Sequence, residues 1–234
     1  EFHLGDFLYS TIDSAKTLSF YAIKQEPKPF SKTERHSTSE PFLNYQVNRV
    51  TLEFEYKSIS NPATSFENHQ SKLDTILLVD GHFVFALANA VEGCFSLESD
   101  SDELVAVSAK IKGEKLSRPL EVKEIAFLND PRILIIPLYE NPQRLIEEMG
   151  IHLFKVAEDP YALKNLIIVD NSGHDYGLVD FNLDLKDKPY IESYFSEIKV
   201  SSKEFIPQKG DFVFNEKSEL MGIMINSRSA YQTK

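Results

Sequence analysis

GHFVFALANAVEG, residues 81 to 93, is a hydrophobic strand that runs into a turn. HFVFALA (82 to 88) carries the apolar side chains, Gly81 and His82 stand at its start in a turn, and Asn89 marks where the strand gives way to small residues. Working outward, short strands recur. VNRVTLEFEYK (47 to 57) alternates Val50, Leu52, Phe54 and Tyr56 on one face with Thr51, Glu53, Glu55 and Lys57 on the other, the period-2 pattern of a half-buried strand. Further strands are expected over 74 to 80, 104 to 111, 120 to 128, 132 to 139, 165 to 170, 176 to 184, 196 to 205, 211 to 215 and 220 to 226. Many short strands with turn residues between them indicate an all-β sandwich or barrel.

One helix stands out. NPQRLIEEMG (141 to 150) has Asn141 placed as N-cap, Pro142 at the first helical position and Gly150 as the stop, and is expected to link two halves. The segment from 24 to 46, KQEPKPFSKTERHSTSEPFLNYQ, is rich in Pro, Ser, Thr and charge, which predicts a mobile or surface-draped connection rather than a core element.

Composition narrows the partners. A chain of 234 residues that is 42% hydrophobic can bury one large core or two modest ones. With 36 acidic against 25 basic side chains, its net charge of -11 gives it no electrostatic reason to approach nucleic acid or an anionic membrane. Cys94 is the one cysteine, so no intramolecular disulfide and no Cys-rich zinc site can form; it reads as a small buried hydrophobe. No apolar run approaches the roughly 20 residues that cross a bilayer, and EFHLGDFLYS lacks a basic region followed by an apolar one, so the chain is expected to be soluble without membrane insertion.

Three segments, in order and at compatible spacing, resemble those that carry catalysis in trypsin-like serine proteases. The stretch at 81 to 93 is similar to the strand and turn that bear the family's histidine, with Asn89 in the histidine's place. FLNDPRILIIPL (127 to 138) resembles the strand of the orienting aspartate; its hydrophobic register puts Arg132 at the acid's position, with Asp130 two residues earlier on the same strand face. PQKGDFVFNEKSELMGIMINSRSAY (207 to 231) resembles the nucleophile's loop and the hairpin after it. There Lys209 stands for the serine and Gly210 for its following glycine, while Asp211 and Phe212 replace a small residue and a proline.

The resemblance covers residues 47 to 231. It implies two six-stranded-type β-barrels, over 47 to 140 and 141 to 234, preceded by an N-terminal extension over 1 to 46, and it favours a periplasmic or secreted location. It also implies that the chemistry is gone. Acyl transfer needs a hydroxyl nucleophile, an imidazole to take its proton and a carboxylate to hold the imidazole. Asn89 does not titrate, Lys209 has no hydroxyl, and the acidic Asp211 beside the site would repel an oxyanion. The expected function is that of an inactive pseudoprotease that binds a protein or peptide, for instance by taking an extended segment onto a strand edge. The alternatives are an active β-fold hydrolase using other residues, and a β-rich extracytoplasmic interaction domain without protease ancestry.

Other constellations are read as structure. Asp170, Ser172, His174 and Asp175 in DNSGHDYG (170 to 177) are too close in sequence for triad geometry and suit a polar turn. A Ser-Lys dyad at Lys209 lacks a serine that the resemblance places nearby. His3, His36, His69, His82, His152 and His174 show no metal-ligand spacing, and SLESDSDELV (96 to 105) lacks the glycine a calcium loop bends on, so neither metal nor cofactor is expected.

Overall fold

The computed structural model describes residues 39–60, 66–89, 102–159, 166–179, 181–183, 190–193 and 205–232. Cys94, the acidic run from 96 to 101, His3, His36 and nearly all of the strand expected over 196 to 205 lie outside them. Among the described residues, strand pairing traces two rings.

The first ring holds β1 (Val50–Ser60), β2 (Phe66–Thr75), β3 (Leu77–Asp80), β4 (Phe83–Asn89), β5 (Asp102–Lys112), β6 (Leu120–Val122), β7 (Ala126–Phe127) and β8 (Ile133–Leu138). One sheet runs β2-β1-β5-β6 and another β7-β8-β4-β3. Only Ile76 separates β2 from β3, and three residues separate β6 from β7, so the chain steps from one sheet to the other at both sides. With each stepped pair counted as one bent strand, the order round the ring is 1-2-3-6-5-4.

The second ring repeats that order. It holds β10 (Leu166–Val169), β11 (Tyr176–Val179), β12 (Phe181–Leu183), β13 (Tyr190–Ser193), β14 (Phe212–Phe214), β15 (Leu220–Met224) and β16 (Ser229–Gln232), with β9 (Phe154–Lys155) left to the connection. The sheet runs β11-β10-β14-β15-β16-β13-β12, and β12 begins two residues after β11 ends. Taking β11 and β12 as one bent strand again gives 1-2-3-6-5-4. The all-β, two-barrel architecture of the trypsin-like protease fold is thus written in the ladders, although the halves share no visible sequence repeat.

Burial explains the sequence patterns. Val50, Leu52 and Phe54 fill the first barrel, as the alternation in β1 requires, while Glu53 on the other face meets Lys72 at 3.0 Å and Lys112 at 2.8 Å. β4 is apolar nearly throughout because both of its faces are covered. Val84, Ala86 and Ala88 look into the first barrel, and Leu87 joins a core between the barrels. That intervening core draws Ile76, Leu78 and Ile133 from the first ring and Ile167, Phe212 and Phe214 from the second. Ala157, Ile168, Val213 and Met224 belong to the second barrel's own core.

The connecting helix, α2 (Pro142–Met149), forms where expected. Asn141 accepts from the N–H groups of Gln143 and Arg144 at 2.9 and 3.2 Å, and Gly150 ends the helix at φ 63. The chain does not change barrels at residue 141, however. β9 pairs in parallel with β3, and Val156 then bridges to Leu220, so the crossing comes after the helix.

Most of the stretch from 24 to 46 expected to drape as a linker lies outside the described residues. Its end, residues 40 to 46, is not a linker but forms, with Val47 and Asn48 that were expected to open the first strand, the helix α1 (Glu40–Asn48), and Tyr45 on it is fully buried in the core between the barrels. Pro41 sits in the first turn, where a missing N–H costs nothing, and Pro41, Tyr45 and Asn48 repeat at helical spacing on the buried face.

Candidate functional site

The three segments that resemble protease machinery meet where the barrels meet. Asn89 is the last residue of β4, paired opposite Ile133 at the start of β8, and it is buried. Its Nδ2 donates to the carbonyl of Met224 at 3.1 Å. That carbonyl also accepts from the N–H of Gly210 at 2.8 Å. One main-chain oxygen of the second barrel therefore joins Asn89 from the first to Gly210 in the loop before β14. Since a carbonyl only accepts, the amide nitrogen of Asn89 must face it. The Oδ1 on the other side is buried and without a hydrogen-bond partner.

Gly210 is a glycine for two reasons. Its φ is +102, and a Cβ there would lie 3.2 Å from Asn89 Nδ2 and 3.1 Å from Asn171 Nδ2. Asp211, next along, is almost wholly buried and accepts from two backbone N–H groups, Asn171 at 3.0 Å and Gln208 at 2.7 Å. Burial pushes its carboxyl up to about 6; the two N–H groups work against that rise, and nearby Asp170 adds to it. Asp211 is therefore turned inward as a brace for the loop. Its two carboxyl oxygens, expected beside the site as a repulsive charge, each accept from a main-chain donor. Lys209 lies exposed on the same turn.

Asp130 and Arg132 do not lie along a strand face, as the hydrophobic register suggested. They occupy a turn between β7 and β8, closed by Ile133 N–H donating to the Asp130 carbonyl at 3.1 Å, because the apolar run that makes the strand starts only at Ile133. The Asp130 carboxylate is buried and accepts from Arg132 Nε at 2.8 Å, from Arg132 N–H at 2.9 Å and from Tyr190 Oη at 2.9 Å. Burial alone would raise its pKa, but these bonds hold the carboxyl below its ordinary value. Tyr190 belongs to β13, so this acid ties the second barrel to the first.

The cluster at 170 to 175 is a turn. Ser172 Oγ donates to the Asp170 carboxylate, which only accepts, so the hydroxyl's one proton is committed. His174 Nδ1, 2.6 Å from the same oxygen, must then be a donor to it and cannot act as its base. Gly173 N–H closes the turn on the Asp170 carbonyl at 2.7 Å. His82 stands exposed in the turn between β3 and β4, as its place beside Gly81 suggested. Among the described residues no group of three or more His, Cys, Asp or Glu could hold a metal ion, and no helix is long and apolar enough to cross a membrane.

If Lys209 stands at the nucleophile's position, as the resemblance implies, one further residue bears on it that the sequence reading passed over. In a triad protease the oxyanion is met by the N–H of the nucleophile residue and by that of the residue two before it. Two before Lys209 stands Pro207, which has no N–H to offer. The signal was in plain view.

No family model matches the chain, and no curated protein sequence matches it. Solved structures similar to it include the scabies mite inactivated protease paralogue S-I1, at 12% identity over 81% of this chain and 91% of that one with a TM-score of 0.42. Deg5 is similar at 10% identity over 82% and 86%, with a TM-score of 0.42. A thermostable serine protease, AL20, from an extremophilic microorganism is similar at 7% identity over 80% and 92%, with a TM-score of 0.43. Likeness at this level speaks neither to activity nor to partners.

Proposed function

We propose that this chain is a protease-fold protein that has given up hydrolysis and uses the seam between its barrels to bind a protein or peptide. The observation that carries the proposal is the shared Met224 carbonyl. Asn89, at the general base's position, spends its amide N–H on that oxygen beside Gly210, and an amide can neither take nor return a proton at neutral pH. Three further losses support it. Lys209 has no hydroxyl, Pro207 supplies no N–H to an oxyanion, and Asp130 is occupied by Arg132 and Tyr190 rather than by an imidazole. Each would cost a large rate factor by itself, about 100- to 1000-fold for one oxyanion donor.

An extended peptide bound by strand addition is the ligand such a seam suits, since main-chain hydrogen bonding outlives the loss of a nucleophile. The test pairs turnover with retention. Labelled, unfolded casein should stay intact over long incubation while its fluorescence anisotropy rises with protein concentration. Cleavage above the buffer rate would refute the first half of the proposal, and flat anisotropy the second.

A further inference from the structure

We infer that helix α1 is a clasp whose docking sets the shape of the loop from 207 to 211, through a relay of hydrogen bonds running Tyr45, Asn171, Asp211. The inference stands apart from whether the seam binds peptide.

At nine residues α1 is shorter than helices that hold by themselves in water, and Ser39 supplies no side-chain cap to its N-terminus. Its order and its docking are therefore one event. The helix is fastened to both barrels. On the first side Asn48 Oδ1 accepts from Lys115 Nζ at 2.8 Å. On the second, Asn44 donates to Ser218 at 3.2 Å, Gln46 donates to the Gly173 carbonyl at 2.9 Å, and the Phe42 ring lies 4.8 Å from that of Tyr176. The fit against the 170–175 turn is close enough that a Cβ on Gly173 would come within 2.9 Å of Arg49 and 3.3 Å of Tyr45.

The relay begins at Tyr45, whose hydroxyl donates to the Asn171 carbonyl at 2.5 Å. The N–H of the same Asn171 donates to Asp211, and its side-chain amide is what a Cβ on Gly210 would meet. Asn171 thus meets Tyr45 of the helix with its carbonyl and, at 3.4 Å, its Oδ1, and donates to the loop with its N–H. Asp211 in turn closes the loop through Gln208 N–H on one oxygen and anchors it to β15 through its own carbonyl, which accepts from Met224 N–H at 2.8 Å. A buried carboxylate tolerates the loss of one of its two donors poorly. If α1 leaves, Asn171 loses the bond that positions it, and the cheapest way to satisfy Asp211 is to let water into the loop. Coupling of this kind runs both ways.

Amide hydrogen exchange on the full chain tests the relay. Tyr45→Phe removes its first bond, and Phe42→Ala loosens the helix without touching the relay at all. In both, exchange at Gly210 and Met224 should quicken, by about 10-fold in Tyr45→Phe, the effect of one hydrogen bond lost, while the β4–β8 ladder keeps its protection. Asp211→Asn should reciprocally quicken exchange at Leu43 and Arg49, whose N–H groups belong to the helix. Faster exchange in α1 with an unchanged loop would overturn the inference. So would a uniform loss of protection over both barrels in all three variants, since the effect would then be global.

Discussion

Replacing Gly210 by alanine should be costly for reasons that can be apportioned. The backbone there has φ +102, a conformation whose cost for a residue with a Cβ is about 1 to 3 kcal/mol. The new methyl would also stand 3.2 Å from Asn89 Nδ2 and 3.1 Å from Asn171 Nδ2, tighter than ordinary contact. Asn89 can yield only by lengthening its 3.1 Å bond to Met224, worth about 0.5 to 1.5 kcal/mol. Together these predict a loss of roughly 2 to 4 kcal/mol, or about 4 to 15 °C in the melting temperature of a chain this size. The same substitution in an Asn89→Ala background should cost about 1 kcal/mol less, because one of the two amides in the way is gone. Thermal and urea unfolding of the four proteins in the cycle measure both quantities. A loss under about 0.5 kcal/mol, or a loss indifferent to Asn89, would refute the contact between the barrels on which the site rests.

Other perturbations have equally definite outcomes. Asp211 titrates near 6 when folded, above its ordinary 3.8, so between those values the native state holds a proton that the unfolded chain has lost. Its contribution is therefore full below about pH 4 and lost as pH rises through 6, by about 2 to 3 kcal/mol. The stability difference between wild type and Asp211→Asn, from urea unfolding, should fall by that much from pH 4 to 7; a difference constant with pH would contradict it. Tyr190→Phe removes a bond to a buried carboxylate and should cost about 1.5 to 3 kcal/mol, whereas the same change at the exposed Tyr139 should cost under about 1 kcal/mol in urea unfolding. The triple variant Asn89→His, Arg132→Asp, Lys209→Ser should be less stable than wild type in urea unfolding, by about 3 to 5 kcal/mol, because it strips the buried Asp130 of its Arg132 partner and sets a second acid beside it; a stability equal to wild type would contradict that pairing.

The sequence made legible what local chemistry dictates. The alternation in β1, the turn at Gly81 and the capped helix from Pro142 to Met149 each follow from residue types within a few positions, and the structure has them. That Asn89 and Gly210 would come near one another was legible too, because each lies beside a strand that an apolar run defines. What stayed hidden depends on distant partners. FENHQSK at 66 to 72 looks like loop, yet it forms most of β2 because ten consecutive pairs with β1 hold it in register. Glu40–Asn48 looks like linker because its polar side chains serve turns more than a hundred residues away, at Asn171, Gly173 and Ser218. Asp211 reads as an exposed charge until Asn171 is known to face it. Pro207 needed no structure, only the question of which N–H groups an oxyanion requires.

The proposed loss of acyl transfer is most directly tested by intact-mass spectrometry of the wild-type chain after prolonged incubation with a fluorophosphonate. If Lys209 stands where the resemblance puts the nucleophile and Asn89 where it puts the base, the mass should remain that of the untreated protein. A single phosphonyl adduct per chain, abolished by changing one serine to alanine, would mean that an activated hydroxyl exists and that the site at the seam is alive.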